Sequence, residues 1–129
     1  MGLKILVVED DVLVRAMATE TLLDAGFEVL EASTGEEALD FCRRQMADVL
    51  FTDIRLPGSI TGWDIAERCR EANPHLPVIY ATGFSANHPR PVPRSTLFHK
   101  PYTPDQLIGA VTAASKAPLA CDGRPAQST

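Results

Sequence analysis

The sequence feature that most constrains the fold is a set of short apolar runs that each stop at a polar residue. Ile5-Leu6-Val7-Val8 is wholly apolar and largely β-branched, and it ends at Glu9-Asp10-Asp11. Val49-Leu50-Phe51-Thr52 ends at Asp53, and Val78-Ile79-Tyr80-Ala81 ends at Thr82. Leu97-Phe98-His99 ends at Lys100. Runs of this length with no polar alternation read as strands buried on both faces, the pattern of a parallel sheet. The half-alternating Phe27–Ala32 stretch reads as an edge strand.

Helical patterns lie between the runs. Val14, Met17, Ala18, Thr21, Leu22 and Ala25 recur at helical spacing and predict one inward face, closed by Gly26. Ser33-Thr34-Gly35-Glu36 reads as a capping box before a helix carrying Ala38, Leu39 and Cys42 inward. Trp63–Arg70 is helical, with Ile65, Ala66 and Cys69 on one side. Thr103-Pro104 reads as an N-cap followed by proline at the first helical position, and Leu107, Ile108, Val111 and Ala114 form the inward face of the last helix. The order is β-α repeated five times. It predicts an α/β single domain, a parallel sheet with helices on both faces. One domain also suits 129 residues. The domain is expected over 3–116, with a disordered polar tail at 117–129. Pro89, Pro91 and Pro93 leave no room for a long helix between residues 85 and 95.

Right-handed crossovers put every strand's C-terminal end on one rim. Glu9, Asp10 and Asp53 therefore converge there with Thr82 and Lys100. Three carboxylates ~4 Å apart repel by about 4 kcal/mol per pair at an effective dielectric of ~20. Either a proton or a cation must relieve that, and hard oxygen ligands suit Mg2+ (or Mn2+). A carboxylate beside such a cation, a lysine and a hydroxyl is arranged for phosphoryl transfer.

Charge and cysteines bound the alternatives. The net charge is −5, and residues 1–60 hold 12 acids against 5 bases, so nucleic acid is not an expected partner. No apolar run is long enough for a signal peptide or membrane span, and no membrane partner is expected. Cys42, Cys69 and Cys121 form no CxxC and are odd in number. That predicts neither a disulfide framework nor a zinc knuckle, core roles for Cys42 and Cys69, and a cytoplasmic location. An FMN binder would want a Ser/Thr-rich loop where Glu9-Asp10-Asp11 stands, and an aspartate-nucleophile phosphatase would want an acid where Arg55 stands. A docking scaffold without the chemistry would not need all five rim residues.

The pieces ILVVEDD at 5–11, Asp53 with LPG at 56–58, Gly62, ATG at 81–83 and Lys100-Pro101 together resemble the receiver domain of two-component response regulators. The resemblance implies a flavodoxin-like (βα)5 doubly wound parallel sheet with strand order 2-1-3-4-5. It implies that Asp53 accepts a phosphoryl group from the phosphohistidine of a histidine kinase or phosphotransfer protein. It implies that Asp10, Asp53 and the Arg55 backbone carbonyl ligate Mg2+, with Glu9 acting through water. Thr82 and Lys100 would hold phosphoryl oxygens, with Gly83 closing on them, and Lys100–Pro101 would be cis. Such a domain is not an enzyme beyond assisting its own phosphorylation and dephosphorylation. It would signal through an unidentified protein partner, as a monomer or weak dimer, with no DNA-binding output domain. Tyr80-Ala81-Thr82-Gly83-Phe84 looks like the FATGUY variant found in stand-alone regulators and hybrid histidine kinases. Leu97 stands at the usual aromatic switch position, so a threonine–tyrosine coupling is not expected.

Overall fold

The computed structural model describes residues 3–83 and 89–116. Five parallel strands, β1 (Lys4–Val8), β2 (Glu28–Ala32), β3 (Val49–Asp53), β4 (Val78–Thr82) and β5 (Ser95–His99), form one sheet in the order β2-β1-β3-β4-β5. Four helices lie among the described residues: α1 (Val12–Asp24), α2 (Gly35–Arg43), α3 (Gly62–Ala72) and α4 (Pro104–Lys116). The doubly wound order is as expected.

Strand alternation sorts side chains onto the two faces. Leu6, Val8, Leu50, Val78 and Tyr80 pack with α2 and α3. Ile5, Val7, Val49, Phe51 and Ile79 pack with α1 and α4. Burying each such side chain contributes roughly 1.5–3 kcal/mol, so both layers are anchored by the central strands. β5 is an edge rather than a buried strand, and its Leu97 faces solvent.

The helix ends follow their local chemistry. Asp11 caps α1, accepting from the Leu13 and Val14 amides at 2.9 and 3.1 Å. Gly26 leaves the helix at φ +97°, where a β-carbon would be strained. At α2 the cap is Thr34 with Glu37, one residue later than the Ser33–Glu36 box read from the sequence. Thr61 and Asp64 form a reciprocal capping box at α3. Thr103 caps α4 and exchanges bonds with Gln106.

Three expectations are corrected. Helical spacing puts Met17 and Ala25 on the inward face of α1, but Met17 is 66% exposed and Ala25 is also exposed; only Ala18 and Leu22 are buried. The helix touches the sheet along a narrower stripe than the spacing implied. The fourth βα repeat carries no helix among the described residues, because residues 89–94 run without helix between β4 and β5. Pro89, Pro91 and Pro93 remove the amide donors a helix would need there. Arg70 on α3 instead ties this stretch down, donating to the carbonyls of Leu76, Pro93 and Arg94. Finally, Cys42 and Cys69 are joined as a disulfide between α2 and α3, with Cα atoms 5.2 Å apart. Distance along the chain hid this pairing, because adjacent helices bring together residues 27 apart. Phe84 and the 117–129 tail lie outside the described residues, as does Cys121.

Candidate phosphoryl and metal site

The rim is assembled by extensions of the sheet ladder. The Glu9 amide donates to Ala32 O at 3.0 Å, Ile54 N–H to Ala81 O at 3.2 Å, and Lys100 N–H to Thr82 O at 2.8 Å. Each bond fixes the residue just past a strand end, so Glu9, Asp53, Thr82 and Lys100 are positioned by strands rather than by free loops. Glu9 and Asp53 are 6% and 9% exposed, and Thr82 is buried. Asp10 is exposed at the mouth.

Carboxylate oxygens of Glu9, Asp10 and Asp53 lie within 4.8 Å of one another. The Lys100 ammonium bridges two of them, donating to Glu9 Oε1 at 2.8 Å and Asp53 Oδ2 at 3.2 Å. Asp53 Oδ1 accepts from the Ile54 amide at 2.8 Å, and Glu9 Oε2 from the Asp11 amide at 3.2 Å. Burial is the main reason the Glu9 carboxyl sits above its usual range; the neighbouring Asp53 charge adds to this, while the Lys100 bond opposes it. Burial works against the Lys100 charge too. The bond to Glu9 and the fields of Asp53 and Glu9 outweigh it and hold the ammonium above its usual range.

The floor of the site is set by Gly62. Its amide donates to Ile54 O at 2.8 Å, and a β-carbon there would meet backbone atoms of Asp53 and Ile54. Only glycine lets the start of α3 approach the strand end this closely. Gly83 borders open space. Arg55 is exposed two residues beyond Asp53. Lys100–Pro101 is cis, as expected. All the rim residues singled out from the sequence therefore lie at the same end of the sheet. The sequence did not reveal the apolar groove beside them. It is a cavity of about 400 Å3 lined by Val14, Met17, Ala18, Lys100, Pro101 and Tyr102, among others. Met17, which lines it, is exposed on α1 together with Leu13 one helical turn before it, a spacing that could have signalled a second face.

The donor set tests whether a divalent cation fits. The two buried carboxylates share one ammonium and the exposed Asp10 carboxylate lies beside them, which leaves an excess of hard anionic oxygens at short range. That composition matches Mg2+ rather than a soft metal.

Fold and rim together define a doubly wound α/β domain with an acidic, lysine-bearing pocket at its C-terminal edge. Residues 5–112 match the model of the response regulator receiver domain, and the chain belongs to that family. Phosphorylation and Mg2+ binding are typical of this family, which works in two-component signalling. A response regulator receiver protein from Sinorhizobium medicae has the same fold, with TM-score 0.86 and 34% identity over 90% of this chain and 96% of that one. Response regulator protein FleR of Pseudomonas aeruginosa is 34% identical over 67% of this chain, which spans only 18% of FleR's length. The receiver domain of sensor histidine kinase PA1611, also from Pseudomonas aeruginosa, was solved with magnesium in its active-site cleft. It shares the fold (TM-score 0.78, covering 90% of this chain and all of that one) at 22% identity.

Proposed function

We propose that this receiver takes a phosphoryl group from a partner's phosphohistidine onto Asp53. One observation carries the reading: Asp53 is nine-tenths buried at the rim, within carboxylate reach of Glu9 and Asp10 and bonded to Lys100. Asp10, Asp53 and the Arg55 carbonyl would hold Mg2+, with Glu9 acting through water. Bound there, the metal offsets negative charge on the phosphoryl oxygens. Asp53 Oδ2 attacks phosphorus, an O–P bond forms, and the P–N bond to the donor imidazole breaks with its electron pair leaving on nitrogen. Asp53 Oδ1 stays oriented by the Ile54 amide. Lys100, already charged and aimed at Asp53, moves from the carboxylate to a phosphoryl oxygen. Thr82 supplies a hydroxyl to another oxygen, and Gly83 lets the following backbone close on it.

The protein assists its own phosphorylation and dephosphorylation and turns over no separate substrate. The donor's histidine-bearing helix docks along α1, where exposed Met17 lines a groove that reaches Lys100 and the same helix also exposes Val12 and Leu13. The signal leaves through a protein contact rather than nucleic acid, in keeping with the net charge of −5. The protein acts in the cytoplasm, where phosphohistidine donors work; no helix among the described residues is long and apolar enough to cross a membrane.

Acetyl phosphate with Mg2+ is the direct test. The wild type should gain ~80 Da and lose it to hydroxylamine, as an acyl phosphate does. Asp53→Asn should gain nothing. Equal labelling of the two proteins would refute the assignment.

A further inference from the structure

The Cys42–Cys69 pair lies outside the phosphoryl site, yet it joins the two helices that hold the loop of that site. α2 begins at Gly35, which packs so closely on Ile60 that a β-carbon there would overlap the Ile60 side chain. α3 begins at Gly62, which lies against the backbone of Asp53 and Ile54. The starts of the two helices thus grip residues 54–62, the loop containing Arg55, from both sides. Their later turns are joined by the two sulfurs, from Cα atoms 5.2 Å apart. That separation lies in the range a disulfide can span without moving the backbone.

The pair also has a way in. Cys42, with Leu39, Arg43, Arg68, Glu71 and Ala72, lines a cavity of about 400 Å3 between the helices. Arg43 and Arg68 at its mouth are balanced by Glu71 and by Asp40, which pairs with Arg43 at 2.8 Å, so the opening is polar without a net charge. The thiolate is the attacking species in an exchange there.

We propose that Cys42 and Cys69 are a reversible redox couple that tightens or loosens the grip of α2 and α3 on residues 54–62. Its reagent is a small disulfide of the glutathione class. The Cys42 thiolate attacks one sulfur of that disulfide and releases a first small thiol. The Cys69 thiolate then attacks the mixed disulfide, forms the Cys42–Cys69 bond and releases a second. The protein thiols lose two electrons and two protons, and the small disulfide gains them as two thiols. A dithiol reverses the sequence. The couple stands on geometry alone. Only its bearing on Mg2+ binding through Arg55 rests on the function proposed above.

The test uses the full chain with Cys121→Ser, equilibrated without metal against oxidised or reduced glutathione. Excess oxidised glutathione should leave no alkylatable thiol in the denatured protein and no glutathione adduct, a loss of ~2 Da, and a dithiol should restore both thiols. Closing a loop across 27 positions should raise Tm by ~10 °C in the oxidised form. Amide exchange across 54–62, including the Gly62 N–H bonded to Ile54 O, should slow by ~10-fold on oxidation. Stable mixed adducts, two persistent thiols, or equal exchange in both forms would overturn the proposal. None of these readouts needs phosphorylation, so a failure of Asp53 labelling would leave them intact.

Discussion

Gly62→Ala tests how the site is built more directly than removal of a charged residue does. The added β-carbon would lie 2.8 Å from Ile54 Cα and 3.0 Å from Asp53 C, and would overlap the Asp53 carbonyl oxygen. All three are backbone atoms of a strand end, so no side chain can swing aside. The start of α3 must retreat by about 1 Å to reach ordinary contact distance. Overpacking of this kind costs ~1–3 kcal/mol. Weakening the 2.8 Å Gly62–Ile54 hydrogen bond adds ~1 kcal/mol. Alanine's helix preference over glycine returns up to ~1 kcal/mol, leaving a net loss of ~2 kcal/mol. Gly83→Ala is the internal control. It borders the same site, but its β-carbon would meet nothing within 4 Å and its φ is not in the left-handed region. It should change stability by no more than ~0.5 kcal/mol. Urea unfolding followed by Trp63 fluorescence reads both variants. Trp63 suits this because it is buried and packs on Tyr80 with ring centroids 4.7 Å apart. Mg2+ titration of the same samples should show weaker binding for Gly62→Ala, because the shift carries Arg55 with it. Equal stability and equal Mg2+ affinity in wild type and Gly62→Ala would refute the reasoning.

Tyr80→Phe keeps the ring against Trp63 but removes the acceptor of the buried Val92 amide, a 3.0 Å bond. An unsatisfied buried donor costs ~1–3 kcal/mol, and a urea midpoint equal to wild type would show that Val92 finds another partner. The Glu9 carboxyl, raised above 4.5 chiefly by burial, binds more protons folded than unfolded, so its contribution is lost as pH rises through that raised value. Mg2+ competes with that proton, so its stabilising effect should grow as pH rises above 4.5; a pH-independent effect would exclude Glu9 from the metal's surroundings. Met17→Asp should leave stability within ~0.5 kcal/mol and still accept phosphate from acetyl phosphate. Transfer from a phosphohistidine donor should slow at least ~10-fold, and an undiminished rate would place docking elsewhere.

The sheet was legible because its signal is local. Ile5–Val8, Val49–Phe51 and Val78–Ala81 are buried apolar runs, and a polar residue follows each. The site was legible for the same reason, since Glu9, Asp53, Thr82 and Lys100 are those exit residues and parallel topology alone brings them together. What escaped was set by packing between elements. Spacing on α1 could not say how wide a stripe the sheet would cover, so Met17 was placed inward. No count of cysteines reveals that α2 and α3 lie side by side with Cys42 opposite Cys69. At the start of α2 two overlapping Ser/Thr–Glu pairs were available, and the sequence could not say that Thr34 with Glu37 would prevail over Ser33 with Glu36.

The stretch before β5 shows how one departure reshapes a surface. Prolines 89, 91 and 93 exclude a helix, and the chain runs along α3 instead. Three independent attachments hold it there. Arg90 donates to Asp64 and to both Glu67 oxygens. Arg70 donates to the carbonyls of Pro93 and Arg94, and buried Val92 is bonded to the Tyr80 hydroxyl. Two of these attachments come from α3, and the third comes from β4 two residues before Thr82. The strap is therefore positioned by the helix that starts at Gly62 and by the strand that ends at Thr82. Both of those elements end at the acidic rim, so a rearrangement around Asp53 that displaces either one acts directly on the strap.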